Sequence, residues 1–273
     1  MALSWSRVTA PLALPVLGYV VQMIDPVTDE WMDLLDASDD PDRLSHVKYG
    51  ATTGETYSFR VFAVNFNGRS ALAGSQVGIL ACGLPRHMDQ PVYVTSSRTS
   101  ITLRWLPPID DGGCPAYDYA VYLAGTGAGP WTEVNPAARS DPSLDEFSCE
   151  IFPAGSSLGD RFLFKIVASN QQGSVESFLS APMLWAGVPA KPSAAPRSDP
   201  LVTDRRQIKV DYPAVSDDGG APVLTYELQM GSPRLDDWVT IAGGEPRTLS
   251  LSYTVTKGLV RGEDYTFRYR AVN

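Results

Sequence analysis

The sequence predicts an all-β protein made of three tandem sandwich domains, and three observations support this. One phrase occurs three times, as "GETYSFRVFAVN" from Gly54, "GDRFLFKIVASN" from Gly159 and "GEDYTFRYRAVN" from Gly262. The copies lie about 100 residues apart, a spacing typical of independent domains and too long for a solenoid unit. Val, Thr, Tyr and Trp are frequent between Gly- and Pro-rich turns, as expected for short strands.

Composition excludes several classes of protein. With 273 residues and 44% hydrophobic content, the chain is large enough to bury a substantial core. It contains no apolar stretch of the roughly 18 residues that a membrane-spanning helix needs, so we expect no membrane insertion in this segment. The net charge of −9 argues against nucleic acid as the main partner, because phosphate binding requires a basic face.

The same landmarks follow one another in each copy. An aromatic residue closes an early strand, at Trp5, Trp105 and Tyr212. A turn-rich loop follows, "PIDDGGCP" in the second copy and "SDDGGAP" in the third, where Asp-Gly-Gly is incompatible with regular structure. A tyrosine-containing strand comes next, and a strand marked by tryptophan precedes the repeated phrase.

The repeated phrase has the alternation of a half-buried antiparallel strand. In "YTFRYRA", the side chains of Tyr265, Phe267, Tyr269 and Ala271 share one face, and the residues between them share the other. The first face is predicted to lie in the core.

These ordered landmarks resemble fibronectin type III domains in tandem, and the resemblance covers essentially the whole chain. It implies immunoglobulin-like sandwiches with seven strands in two sheets, and a tyrosine corner whose hydroxyl bonds to nearby backbone. Tyr57 and Tyr265 match the corner position. Phe162 stands there in the second copy, so a hydrogen bond worth about 0.5–1.5 kcal/mol is expected to be lost. The expected core markers are Trp5, Trp105, Tyr212, Tyr57, Phe162 and Tyr265.

The predicted domains are repeat one (1–84), repeat two (85–188) and repeat three (189–273). Repeat one begins at its second strand and repeat three ends after its sixth, whereas repeat two reads as complete. We therefore expect the sequence to be a segment of a larger polypeptide. The linkers "GLPR" and "GVPAKP" are short and contain proline, which limits rotation and predicts an extended, slightly flexible rod.

Three cysteines, Cys82, Cys114 and Cys149, are too few for a disulfide framework. They are predicted to be mainly free thiols, with a Cys114–Cys149 bridge inside repeat two as the alternative.

No catalytic constellation is present in the sequence. His46 and His87 belong to no nucleophile or metal signature, so the chain is predicted not to be an enzyme and to hold no cofactor or small-molecule substrate. The acidic run with Asp36, Asp39, Asp40 and Asp42 is predicted to be a solvated loop, with a weak calcium site as the alternative.

Two further patterns have structural interpretations. The pairs Asp110–Asp111 and Asp217–Asp218 occupy equivalent loops, where turn formation explains them and cation binding between domains is the alternative. Arg60, Lys165 and Arg268 share one register and are expected to stack on Trp31, Trp131 and Trp238, with a partner-binding face as the alternative.

The sequence therefore favours a non-enzymatic scaffolding segment that contacts other proteins in a large assembly. The Asp-Gly-Gly-x-Pro loop resembles repeats of giant muscle proteins and of large protist proteins, so an intracellular setting, cytoskeletal or ciliary, is slightly favoured. The alternatives are an extracellular adhesion or receptor ectodomain and an accessory array of a secreted carbohydrate-active enzyme.

Overall fold

The structure of the chain, a computed structural model, describes residues 1–9, 14–127, 129–136, 143, 145–232 and 235–273. Every helix or strand assigned within these ranges is a β-strand, which confirms the all-β prediction. Within the same ranges there is no helix with the length and apolarity to cross a membrane.

Repeat one folds into a small sheet and a large one. Its strands are β1 (Ala2–Ser4), β2 (Gly18–Ile24), β3 (Trp31–Ala37), β4 (Ser45–Val47), β5 (Thr56–Asn65), β6 (Gly68–Arg69) and β7 (Val77–Leu80). The small sheet pairs β1 with β4, and the large sheet has the order β3-β2-β5-β6 with β7 also paired to β5. All pairs are antiparallel.

Repeat two has the same large sheet and a three-stranded partner. Its strands are β8 (Val92–Ser96), β9 (Ile101–Arg104), β10 (Asp118–Gly125), β11 (Thr132–Glu133), β12 (Glu146–Cys149), β13 (Arg161–Asn170), β14 (Gly173–Glu176) and β15 (Met183–Leu184). The sheets are β12-β9-β8 and β11-β10-β13-β14, with β15 paired to β13. Strand β8 has no counterpart among the described residues of repeat one.

Repeat three consists of two three-stranded sheets. Its strands are β16 (Arg197–Ser198), β17 (Ile208–Asp211), β18 (Thr225–Ser232), β19 (Leu235–Ala242), β20 (Ser252–Val255) and β21 (Thr266–Val272). The sheets are β16-β17-β20 and β19-β18-β21.

A separate hydrophobic cluster fills each repeat, because inward-facing side chains of the two sheets meet between them. Strand β13 shows the predicted alternation most clearly, with Phe162, Phe164, Ile166 and Ala168 buried and their neighbours more exposed. In β21, Phe267 and Tyr269 are only half-buried, and Ala271 is the buried member of that face.

Five of the six expected core markers pack in or against these clusters. Trp105, Tyr212, Tyr57 and Phe162 are at most 7% exposed, and Trp5 is half-buried against the cluster of repeat one. Tyr265 is also half-buried, next to the loop that it anchors.

The predicted tyrosine corner is confirmed in repeats one and three. The Tyr57 hydroxyl accepts a hydrogen bond from the Thr52 amide at 3.0 Å, and the Tyr265 hydroxyl accepts one from the Val260 amide at 2.7 Å. Phe162 lacks the hydroxyl, but the loop amide that a tyrosine would bind is still hydrogen-bonded. Asp160 Oδ2 accepts from the amide of Ser157, five residues before Phe162, at 2.8 Å.

The difference between Tyr57 and Phe162 at the corner position can be tested with two substitutions, one of which is the control for the other. Tyr57→Phe should lower the free energy of unfolding of repeat one by about 0.5–1.5 kcal/mol, because the Thr52 amide loses its acceptor. Phe162→Tyr should give repeat two no comparable gain, because Asp160 already accepts from Ser157. Hydrogen exchange of core amides in each repeat measures both effects, and an equal gain from Phe162→Tyr would contradict this explanation.

Candidate functional site

The Asp-Asp-Gly-Gly loops are tight turns held by their own aspartates. Asp110 Oδ1 accepts from the Gly112 amide at 2.8 Å, and Asp111 Oδ1 accepts from the Gly113 amide at 2.7 Å. Asp217 and Asp218 make the same bonds to Gly219 and Gly220, at 2.8 and 2.9 Å. All four glycines have φ between 70° and 88°, the left-handed region that glycine adopts without strain. Turn formation therefore explains the paired aspartates.

The first glycine of each loop contacts the linker that enters its domain. The carbonyl of Gly112 accepts a hydrogen bond from the Gly83 amide at 2.8 Å, and the carbonyl of Gly219 accepts one from the Gly187 amide at 2.8 Å. A Cβ at Gly112 would overlap the Gly83 carbonyl, and a Cβ at Gly219 would overlap that of Gly187. Glycine is thus required at these positions for both conformation and space.

The second glycine of each loop contacts the preceding repeat itself. A Cβ at Gly113 would overlap the backbone of Thr53 and Gly54, and one at Gly220 would overlap that of Leu158 and Gly159. Gly54 and Gly159 are the first residues of the repeated phrase. The phrase therefore begins at the surface on which the next domain sits.

The last residue of the repeated phrase also contacts this boundary, or joint, between two domains, and it does so from the domain that follows the linker. Asn170 Nδ2 donates to the carbonyl oxygens of Gly83 and Asp111, at 2.9 and 2.8 Å. Asn273 Nδ2 donates to those of Gly187 and Asp218, at 2.8 and 2.7 Å. Each asparagine thus ties the linker to the glycine loop. Sequence reasoning missed this role, although the phrase ends in asparagine in all three copies.

The two joints differ in the side chains that lock them. The first joint, between repeats one and two, contains a Cys82–Cys114 disulfide with a Cα–Cα distance of 5.6 Å. Ala186 and Ala221 stand at the equivalent positions of the second joint, between repeats two and three. There Arg98 forms a salt bridge with Asp217 and also donates to the Val188 carbonyl at 3.0 Å. One lock is covalent and the other is ionic.

The disulfide corrects both sequence predictions for the cysteines. Cys82 and Cys114 are not free, and Cys114 does not pair with Cys149. Cys149 lies on β12, fully buried, and its thiol donates to the Ile151 carbonyl at 3.2 Å. The predicted Cys114–Cys149 bridge lies within one domain, whereas the observed bond crosses the boundary between two. Burial raises the pKa of the Cys149 thiol to about 11, so this group is protonated and unreactive near neutral pH.

The ionic lock makes Asp217 the titrating group of the second joint. The hydrogen bond from Arg98 is the main cause that lowers the pKa of the Asp217 carboxyl, and the Gly219 amide adds to it. Both partners are about two-fifths exposed, so solvent weakens their attraction. Arg98 therefore restrains the joint, while the backbone contacts set its geometry.

The acidic run of repeat one forms a self-capped loop. Asp36 accepts from the Ser38 amide at 3.0 Å and Asp40 from the Asp42 amide at 3.1 Å. Asp42 pairs with Arg7, and Asp39 is exposed. In the described part of the chain, no three His, Cys, Asp or Glu residues are placed to hold a metal ion together.

The predicted cation–π contacts are confirmed in all three repeats. Arg60 lies 3.9 Å from the ring centre of Trp31, Lys165 lies 5.1 Å from that of Trp131, and Arg268 lies 4.2 Å from that of Trp238. Gln22 and Gln229 orient the two arginines by accepting from their Nε atoms, at 2.8 and 2.7 Å. Each contact stabilises its sheet by about 0.5–1 kcal/mol.

The cysteine assignment can be tested by alkylation. The oxidised chain should expose no thiol to iodoacetamide while folded, because Cys149 is buried, and one thiol after denaturation. Peptide mapping without reductant should find Cys82 linked to Cys114. Three reactive thiols in the denatured chain, after oxidation of the purified protein in vitro, would contradict the assignment.

The ionic lock predicts that the second joint depends on pH. Because the pKa of Asp217 is lowered in the folded chain, its stabilising effect is present above the ordinary carboxyl value of about 3.9 and is lost as the pH falls below it. Residual dipolar couplings should show repeats two and three aligned together near neutral pH and more independently in acid. Arg98→Ala should give the same partial loosening at neutral pH, because the bond between the Gly187 amide and the Gly219 carbonyl remains. An unchanged alignment in the variant would contradict the lock.

No protein-family model matches this chain, but several curated proteins are similar to it. It is 28% identical over 232 residues to myomesin-2 of Homo sapiens, covering 83% of this chain and 15% of that protein. It is 28% identical over 163 residues to cardiac-type myosin-binding protein C of Mus musculus, covering 58% of this chain and 12% of that protein.

A third relative matches over the full length. The chain is 23% identical over 279 residues to fibronectin type-III domain-containing protein 3A of Homo sapiens, covering 100% of this chain and 22% of that protein. The solved FN1–FN3 domains of chicken CNTN1 align with 100% of this chain and 88% of theirs, with a TM-score of 0.43 and 17% identity. The chain thus spans less than a quarter of the length of these curated relatives. Its repeated landmarks, sheet topology and relatives together identify it as a tandem array of fibronectin type III domains.

Proposed function

We propose that this chain is a non-enzymatic structural segment that spaces its sandwiches at set angles and presents them to other proteins of a cytoskeletal assembly. The observation that carries the proposal is the repetition of one joint. The same glycine, aspartate and asparagine contacts occur at both boundaries, so the angle between neighbours is built by the sequence. A joint that fixes an angle is useful where contacts on successive domains must be in register.

The relatives support this setting by their names. Myomesin-2, the striated-muscle M-protein of Gallus gallus and myosin-binding protein C are similar to this chain over more than half of its length. The predicted boundaries at residues 84 and 188 fit the proposal, because the linker glycines Gly83 and Gly187 each lie one residue before them. A ciliary assembly is the other intracellular setting that the sequence suggested.

A second candidate function is an extracellular adhesion rod, and the Cys82–Cys114 disulfide favours it. Disulfides persist in oxidising compartments and are rare in the cytosol, where thiols are kept reduced. The second joint shows that the same geometry forms without a disulfide, with alanine at both positions. The cytoskeletal proposal therefore expects a reduced first joint of the same shape, whereas the adhesion proposal expects an oxidised one.

The test combines cross-linking mass spectrometry on the native source with rapid thiol trapping. Links to cytoskeletal proteins, with Cys82 and Cys114 trapped as thiols, are expected. Links to secreted proteins, with the two cysteines bonded, would replace the proposal with the adhesion rod.

The same experiment tests the role of the joints when two of their glycines are substituted together. Gly112→Ala with Gly219→Ala should abolish cross-links from one neighbour to two successive repeats and keep those to single repeats. Gly50→Ala with Gly258→Ala is the matched control, because both glycines have positive φ and no atoms within 4 Å of an added Cβ. Loss of the same links in the control would mean that backbone strain, not the joint, is responsible.

A further inference from the structure

The Cys82–Cys114 disulfide is a short cut past two strands of repeat two. The cysteines lie 32 residues apart in the sequence, and the segment between them contains β8 and β9. These are two of the three strands of the sheet β12-β9-β8, and β9 contributes Ile101 and Leu103 to the core, both 0% exposed. The bond therefore joins repeat one to a residue just before β10 and passes over most of one sheet.

The bond changes the path of a pull along the chain. Neighbouring repeats are joined through one linker, so a pull on a chain with free thiols passes through residues 83–91 into β8. When Cys82 and Cys114 are bonded, the pull passes through their sulfur atoms, because this bridge is far shorter than the loop that it closes. It then enters repeat two beside β10, and β8 and β9 are shielded from it.

Backbone hydrogen bonds hold Cys82 in place independently of its sulfur. The carbonyl of its neighbour Ala81 accepts from the Gly54 amide at 2.8 Å, and the amide of its other neighbour, Gly83, donates to the Gly112 carbonyl at 2.8 Å. Cys82 is thus fixed between repeat one on one side and the glycine loop of repeat two on the other. The Cα–Cα distance of 5.6 Å to its partner cysteine lies within the range of about 4.4–6.8 Å that disulfides have.

The second joint has the same frame with no sulfur in it. Ala186 stands between Trp185, whose carbonyl accepts from the Gly159 amide at 2.9 Å, and Gly187, whose amide donates to the Gly219 carbonyl at 2.8 Å. Because this geometry forms with alanine, the first joint keeps its two thiols within bonding reach when the bond is open. Oxidation then joins two groups that the backbone has already placed together.

We propose that Cys82 and Cys114 form a reversible thiol–disulfide switch that decides whether β8 and β9 bear tension. When the switch is open, a pull can extend the whole of repeat two. When it is closed, the segment between the cysteines stays out of the extended chain. The reacting partner is a low-molecular-weight thiol or disulfide of the glutathione class.

Opening the switch takes two exchange steps and two electrons. A thiolate RS⁻ attacks the sulfur of Cys82, which is partly exposed, whereas Cys114 is 2% exposed. The bond to Cys114 breaks, its sulfur leaves as a thiolate that takes up a proton, and a mixed disulfide of Cys82 with R forms. A second RS⁻ attacks the R-side sulfur, releases Cys82 as a thiolate that is protonated, and yields RSSR. Closing is the reverse, with RSSR as the oxidant and two RSH as products.

The inference deepens the proposed function by naming how the first joint is regulated, and it rests on that function only for its setting. A cytoskeletal setting expects the open state until oxidising conditions close it. The switch itself is measured on the purified chain, so its failure and the failure of the cross-linking experiment are separate outcomes.

Pulling on single molecules tests the switch. The 273-residue chain is held by peptide tags at its two ends and stretched until all three repeats unfold, either in dithiothreitol or after treatment of the folded chain with glutathione disulfide. The unfolding step of repeat two should be about 100–110 Å shorter in the oxidised chain, because 32 residues of about 3.3–3.6 Å each are bypassed. The other two steps should not change, and glutathione should restore the longer step.

Paired substitutions locate the effect. Cys82→Ala with Cys114→Ala gives the first joint the alanines of the second, and it should show the longer step under both conditions. Ala186→Cys with Ala221→Cys should shorten the step of repeat three on oxidation by about 110–120 Å, because roughly 35 residues are then bypassed. Cys149→Ala is the control, because Cys149 is buried and unpaired, and it should leave the difference unchanged.

Two results on the natural joint would overturn the proposal. The first is equal steps in the oxidised and reduced chains, or a difference that persists without Cys82 and Cys114. The second is a bridge that forms only after denaturation, because the folded joint would then not place the thiols for exchange.

Discussion

The structure depends on the close approach of two backbones at each domain boundary. Gly112 and Gly219 bring their carbonyls to the linker amides of Gly83 and Gly187, at a separation that no side chain permits. Inter-domain motion is the usual expectation for domains joined by short linkers with small interfaces. Here the linker is bonded through its backbone to the glycine loop, and the same loop lies against the backbone of the preceding repeat.

Around this contact, each boundary is completed by groups from three parts of the chain. The aspartates shape the loop, the asparagine at the end of the repeated phrase ties loop to linker, and the glycine at the start of the phrase receives the next domain. The side-chain contacts that restrain the two joints can therefore differ. Cys82–Cys114 and Arg98–Asp217 restrain the same geometry by a covalent bond and by a solvent-weakened ion pair. We therefore expect the first joint to respond to redox conditions and the second to pH.

The sequence predicted what depends on local pattern. The alternation in β13, the tyrosine corners at Tyr57 and Tyr265, and the stacking of Arg60 on Trp31 all follow from residues close together or in matching positions of a repeat. The joints were not predicted, because Gly113 contacts Gly54 and Cys114 bonds Cys82 across a boundary that no local periodicity spans. In repeat two, Asp160 takes the place of the hydroxyl that Phe162 lacks, through a side chain that the corner motif does not include.

Hydrogen exchange of the two linker amides is the most direct test of whether the glycine contacts hold neighbouring domains together. Gly83 and Gly187 lie in short loops, where amides ordinarily exchange fast unless they are bonded. If the glycine contacts hold the domains, both amides exchange far more slowly than an unstructured peptide, and Gly187 does so without any disulfide at its joint. Exchange of both amides at the rate of an unstructured peptide would contradict the central claim, because the domains would then move independently.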